Sequence, residues 1–216
     1  MSAQPQLQPR RELLQDRAVV TREKLLAAAL GSFTTVGYEA ASTRQIEADA
    51  GVNRGLIGYH FKTKEALWKA TVEWLFGRAA QELADTERHA ANVDVMARLR
   101  YFVRALVRFS ARFPQINRLM VQEGMHEDWR VDWLVAHYVR PWYQRLQSMF
   151  EQAQEAGVAP AMDFANFYYI VTGSAALMFS MASEAKRLAG IDTTDEAAIN
   201  RHADALAQLL FPGGTS

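Results

Sequence analysis

The chain has 216 residues, no cysteine, 50% hydrophobic and 22% charged side chains, and its 24 basic residues balance 24 acidic ones. These values exclude a disulfide scaffold, a thiolate zinc finger, a cysteine nucleophile and a chain disordered throughout. No run of about 18 apolar residues offers a membrane span, and the polar start lacks the apolar stretch of a secretory leader, so a cytoplasmic protein is expected.

Helical periodicity dominates and no strand-like alternation stands between turn pairs, which predicts an all-α fold of about nine helices. Residues 1–16 read as a flexible arm. A first helix over 17–36 carries Leu25, Leu26, Ala29, Phe33 and Val36 as its core stripe, with Gly37 as a left-handed C-cap. Ser42-Thr43-Arg44-Gln45 is a capping box opening a helix over 43–50. Gly51 ends that helix, Val52 fills the turn, and Asn53 caps a short helix over 54–61. Thr63 caps the next, which starts at Lys64. Further on, Val95, Leu99, Phe102, Leu106, Phe109 and Phe113 form a stripe on a helix over 93–113, broken by Pro114. Short and long helices follow over 115–123 and 128–156, with a kink or break expected near Val139 because Pro141 lies inside the pattern. Asp163 caps a helix over 164–189, Gly190 stops it, and the last helix covers 196–211.

Charge divides unevenly along this order. Residues 1–78 hold 11 basic and 8 acidic side chains, leaving 13 and 16 for the remainder. A basic end suits a polyanion and an acidic body some other task. The basic end also holds two short helices joined by Gly51-Val52-Asn53, which reads as a helix-turn-helix over 17–63 followed by a larger helical domain over 64–212. In that motif the second helix enters a major groove about 12 Å wide.

The residues Thr21-Arg-Glu-Lys-Leu-Leu-Ala-Ala-Ala-Leu, Gly37-Tyr-Glu-Ala, Thr43-Arg-Gln-Ile, Ala50-Gly-Val-Asn-Arg-Gly and Tyr59-His-Phe-Lys-Thr-Lys-Glu-Ala-Leu stand in order. Over roughly 50 positions this string resembles the TetR family of bacterial transcriptional regulators. Beyond residue 78 the likeness lies only in length, helix count and the Pro160…Asp163 turn. One departure is Gly58, where the family usually carries a tyrosine; with Gly55 it puts two glycines in one short helix, each costing about 1 kcal/mol of helix propensity. They read as permitting close approach of backbone to DNA or as residues that packing tolerates.

The candidate DNA-binding residues are Thr43, Arg44, Asn53, Arg54, Gly55, Tyr59, His60, Lys62 and Lys64. Arg54 can bond a guanine edge bidentately or hold a phosphate. Asn53 is a cap or a base contact. Thr43 and Arg44 open a helix where backbone N–H groups favour phosphate. Tyr59, His60, Lys62 and Lys64 resemble the family's phosphate-binding cluster, with a packed structural histidine as the alternative reading of His60. Two half-sites about 34–36 Å apart call for a two-fold dimer. Its interface is expected on the last two helices, about 164–189 and 196–211. There Ile170, Gly173, Ser174, Ala175, Leu177, Met178 and Met181 meet Leu206, Leu209, Leu210 and Phe211 in a four-helix bundle.

Aromatic and methionine residues crowd the body, suggesting an apolar small-molecule cavity. The pocket candidates are Phe102, Phe109, Met120, Trp133, His137, Tyr138 and Tyr168. The resemblance implies repression of a palindromic operator, relieved by a small apolar or aromatic inducer, with the helix from Lys64 to Arg78 as conduit. No cofactor and no metal is expected. Two alternatives stand beside this reading. One is a helix-turn-helix regulator without a small ligand, constitutive or controlled by a partner protein. The other is a helical metal-dependent enzyme using Glu123 and His126, a single Glu-x-x-His pair where helix-bundle metal sites use two.

Overall fold

The computed structural model describes residues 10–90 and 94–212, with residues 10–16 and 81–90 described by their backbone alone. The described residues form eleven α-helices and one π-helical segment, without a strand. The chain divides into two compact units, residues 1–77 and 78–216. Among the described residues, no helix is long and apolar enough to cross a membrane.

The first unit holds α1 (Arg10–Ala40), α2 (Thr43–Asp49), α3 (Leu56–His60) and the start of α4 (Lys64–Ala90). Residues 1–9 of the expected arm lie outside the described residues. Residues 10–16 are the first turns of α1 instead, in keeping with a run built mostly of good helix formers. Leu25, Leu26, Ala29 and Phe33 are buried, but Val36 is 53% exposed. At 3.6 residues per turn the stripe passes from Phe33 to position 37, and Gly37 is the buried residue there. Gly37 is not the left-handed cap expected. It adopts φ 81°, ψ 167°, a region open only to glycine, and the helix resumes for one more turn. Ser42 accepts a hydrogen bond from the Gln45 backbone N–H at 3.4 Å. The reciprocal half of the capping box does not form, because the Gln45 side chain donates forward to Asp49 at 2.7 Å. Thr63 caps α4 through the Ala66 N–H at 3.0 Å. Trp68 and Leu67 on α4 are fully buried.

The second unit contains α5 (Val95–Arg112), α6 (Pro114–Glu123), α7 (Trp129–Leu134), a π-helical segment (Val135–Val139), α8 (Arg140–Glu155), α9 (Phe164–Ser180), α10 (Ala182–Ala189) and α11 (Glu196–Leu210). Its core joins α5, α8, α9 and α11, with Phe150 and Phe167 stacked at 4.3 Å near its centre. The buried line of α5 is Leu99, Val103, Leu106, Val107 and Ser110. Phe102 and Phe109 therefore flank the core, a shift of one residue from the expected stripe. The rotation lets the α5 arginines reach α11: Arg104 pairs with Asp204 at 2.8 Å, Arg108 donates to Asn200 at 2.9 Å, and Arg100 donates to the Phe211 carbonyl.

Two expected long helices are subdivided, each for a visible reason. Pro141 has no N–H to offer the fourth carbonyl back, and the turn before it opens to π spacing, Arg140 N–H donating to the Val135 carbonyl. The Ser180 carbonyl accepts from Arg118 of α6 at 3.1 Å, while the Glu184 N–H turns to Met181 at 2.9 Å, so α9 and α10 separate at Met181. Asp163 sits at the N-cap of α9 without the expected side-chain hydrogen bond.

At the α6–α7 junction, Glu123 is fully buried and Arg130 only 2% exposed. Arg130 Nε lies 3.0 Å from Glu123, and its terminal nitrogen 2.6 Å from Asp128. Asp128 also accepts the Arg130 backbone N–H at 2.8 Å, the main cause that holds its carboxyl below the ordinary carboxylate range. Glu123, offered above as a metal ligand beside His126, instead faces a guanidinium, while His126 is exposed. Among the described residues no group of three or more His, Cys, Asp or Glu side chains is placed to hold a metal ion.

Candidate nucleic-acid interface

The short helix α3 is held from beneath. Ile57 and Phe61 are 4% and 6% exposed, whereas Gly58 and Tyr59 face outward, Tyr59 at 69%. A five-residue helix has no stability of its own, so these two apolar anchors and its first hydrogen bonds decide where it lies. It begins at Leu56, not at Arg54. Gly55 occupies the N-cap at φ 88°, which excludes it from a right-handed helix and leaves it no side chain to cap with. Asn53 is therefore not the cap, and Arg54 stands in the exposed turn ahead of the helix. The capping role passes to Glu47 of α2. Glu47 is 6% exposed, and its carboxylate accepts the Ile57 N–H at 2.8 Å.

A groove of about 590 Å³ runs beside α3, lined by Ser42, Thr43, Glu47, Gly55, Gly58, Lys62 and Lys64 among others. It brings together the start of α2, the start of α3 and the N-terminus of α4, a long helix whose first N–H groups carry partial positive charge. Arg44 is exposed on the first turn of α2. Lys62, at φ 69°, donates to the Tyr59 carbonyl at 3.1 Å and stands 5.8 Å from the Tyr59 ring. Lys64 is more committed, its ammonium donating to the Glu39 carbonyl at 3.1 Å and lying 4.6 Å over the Tyr38 ring. Room remains around both glycines: a Cβ at Gly55 or Gly58 would meet nothing within 4 Å. Close packing inside the chain thus does not demand glycine at position 58.

Sequence reasoning missed two residues here. Glu47 was legible only as an acidic residue beside Ile46, with nothing local to show that it reaches ten positions onward. Arg22 of α1 lies 5.4 Å from the Phe61 ring and adds positive charge beside His60. The His60 imidazole titrates below the ordinary histidine value of 6.5, through burial first and then through Arg22 and Lys62. Folded chain binds this proton less readily than unfolded chain. Its contribution to stability is therefore complete above about 6.5 and is lost as the pH falls below it. Arg22→Ala is expected to raise the His60 pKa in an NMR titration of the imidazole; no movement would remove Arg22 from the causes.

The seven pocket candidates of the second unit fall into several groups. Phe102 and Tyr168 are linked through Trp142, each ring 5.8 Å from it. Tyr168 also meets Tyr143 at 4.9 Å, and burial pushes its phenol up from the ordinary value. Trp133 stacks on His137 at 4.6 Å and meets Tyr138 at 5.6 Å, with His137 exposed and bonded to the Trp133 carbonyl. Phe109 pairs with Phe113 at 5.3 Å, and Met120 is half-buried on α6. Of the residues expected at a dimer face, Ala175, Leu206 and Phe211 belong to the unit's own core. Ile170, Gly173, Ser174, Leu177, Met181 and Leu209 are exposed.

Comparison with known proteins adds an independent line. Residues 25–71 match the family model described as bacterial regulatory proteins, tetR family, and residues 96–210 match the tetracyclin repressor-like C-terminal domain. The chain is 41% identical over 70 residues to the HTH-type transcriptional regulator CymR of Pseudomonas putida, covering 32% of this chain and 34% of that one. It is 30% identical over 108 residues to the HTH-type regulator RutR of Escherichia coli K12, half of each chain. The matches thus span a third to a half of these curated relatives. Among solved structures, the hemolysin II transcriptional regulator HlyIIR superposes at TM-score 0.64 with 19% identity, covering 91% of this chain and 99% of that one. FadR of Bacillus subtilis, solved with stearoyl-CoA, superposes at 0.63 with 14% identity, covering 89% and 99%. At these identities the likeness is one of fold.

Proposed function

This chain belongs to the tetR family of bacterial regulatory proteins, and we propose that it represses transcription from a near-palindromic operator, bound as a two-fold dimer and released by a small apolar or aromatic ligand. The coarser statement, a DNA-binding transcriptional regulator, follows from the family. The finer one is carried by α3: a helix anchored through Ile57 and Phe61 that turns Tyr59, Gly58 and the preceding Arg54 outward among basic side chains. Arg54 and Tyr59 are assigned to the duplex, with Gly55 and Gly58 admitting it closely. Thr43, Arg44, Asn53, His60 and Lys62 are assigned to the surrounding sugar-phosphate backbone. Lys64, held against Tyr38 and Glu39, positions the start of α4 beside the same phosphates.

The test is selection of randomised duplexes by the purified chain at two salt concentrations. An enriched near-palindrome supports the reading; weak, steeply salt-dependent binding without enrichment makes the basic face a general polyanion patch. On the selected duplex, Arg54→Ala is expected to cost about 1–3 kcal/mol and to relax one base-pair preference. An equal loss on random duplex would reassign Arg54 to a phosphate.

The ligand assignment draws on the body. Partly buried Phe102, Trp142 and Tyr168 form a connected aromatic face with a half-buried phenol. Phe109, Met120, Trp133, His137 and Tyr138 complete the proposed lining. The fold is shared with a regulator whose structure holds stearoyl-CoA, which supports a ligand-bearing body without naming the ligand. Release requires that the ligand bind the state unable to bind DNA more tightly, tenfold for each 1.4 kcal/mol of coupling.

A further inference from the structure

We infer that Glu47 is a positioning residue for the DNA-reading helix: its buried carboxylate, carried on α2, fixes the start of α3 and so sets how well the chain discriminates one duplex sequence from another. The inference rests on the DNA-binding reading above. Every helix start leaves N–H groups that need an acceptor. At α3 the N-cap residue is Gly55, which has none to offer. The acceptor supplied is Glu47 Oε1, 2.8 Å from the Ile57 N–H, between two groups that are both nearly inaccessible to water. Five residues cannot hold a helix without such help. A carboxylate acceptor also binds an N–H more strongly than a neutral one. The bond spans the turn and ties α3 to α2, whose own start is set by Ser42. Loss of it frees the first turn of α3, the part next to Arg54, to shift relative to α2.

Glu47 also lines the groove with Ser42, Thr43, Lys62 and Lys64. A negative charge there opposes a phosphate, so its presence costs general affinity for DNA. The two effects separate by substitution. Glutamine keeps the acceptor and removes the charge. Aspartate keeps the charge but is one methylene shorter. Alanine removes both.

The full-length chain and its Glu47→Gln, Glu47→Asp and Glu47→Ala variants are titrated with the selected duplex and with a random duplex of equal length, at two salt concentrations, alongside thermal unfolding. Glu47→Ala is expected to lower the ratio of selected to random affinity about tenfold, the effect of one charge-assisted cap. Glu47→Asp is expected to lower it similarly. Glu47→Gln should keep the ratio within about twofold and bind both duplexes more tightly at low salt, a gain that fades as salt screens it. A cap that merely stabilises the fold would weaken both duplexes in proportion and leave the ratio unchanged. If the alanine variant is unfolded at the assay temperature, the Gln and Asp pair decides. A ratio held by Asp and lost by Gln, or unchanged in every folded variant, overturns the inference alone. Absence of discrimination by the unsubstituted chain overturns the DNA-binding reading and the inference with it.

Discussion

Arg130→Met is expected to destabilise the helical body by about 3–5 kcal/mol, because it leaves the Glu123 carboxylate buried without its guanidinium. Glu123 is fully buried and Arg130 almost so, with 3.0 Å between the charged atoms. Neither charge can turn to water when the other is removed. Glu123→Ala should cost less, since Arg130 keeps Asp128 at 2.6 Å and Asp128 is itself partly exposed. The double replacement Glu123→Leu with Arg130→Met should recover most of the loss, an ion pair being replaceable by apolar side chains of similar bulk. Denaturant unfolding followed by far-UV circular dichroism measures all three. A loss below about 1 kcal/mol for Arg130→Met would show that this pair is solvated in solution.

Leu177→Arg is expected to convert a dimer to a monomer and to weaken binding to a two-half-site duplex about a hundredfold, through loss of simultaneous engagement. Leu177 is 61% exposed on α9, within a face that includes Ile170, Gly173, Ser174 and Met181, and Leu209 of α11 is 77% exposed. The exposed apolar side chains Ile170, Leu177, Met181 and Leu209 are the ground on which this face is proposed as the dimer surface. Near a two-fold axis each side chain meets its own copy, so a single arginine places like charges together. Because Leu177 is exposed within one chain, folding should change by no more than about 0.5 kcal/mol. Sedimentation velocity with half-site and full-site titrations tests this. A variant that remains dimeric places the interface elsewhere.

The all-α architecture and the outline of the helix-turn-helix were legible because they are written in local physics. Thr63 reaches the Ala66 N–H three residues on, Pro114 can only begin a helix, and Gly190 closes one with a positive φ. The stripes on α1 and α5 were readable to within one position. They slipped at Val36 and at Phe102 because a one-residue rotation about a helix axis is chosen by whatever packs against it. The candidate DNA residues were found through an ordered string of motifs. What escaped was how α3, the short helix among them, is held.

Spacing alone locates turns, amphipathic faces and the caps that close within about four residues, such as Thr63, but not which candidate caps form: Asn53, Gly37 and Asp163 do not cap as expected. The packed chain chose the rest. Glu47 supplies the cap that Gly55 lacks from ten positions upstream. Arg118 ends α9 by capturing a carbonyl 62 positions away. The exposed faces of α9 and α11 acquire meaning only beside the residues of the same helices that turned inward. Each of these depends on which distant groups share a neighbourhood once apolar surface is buried, and a buried polar group then takes whatever partner lies within reach.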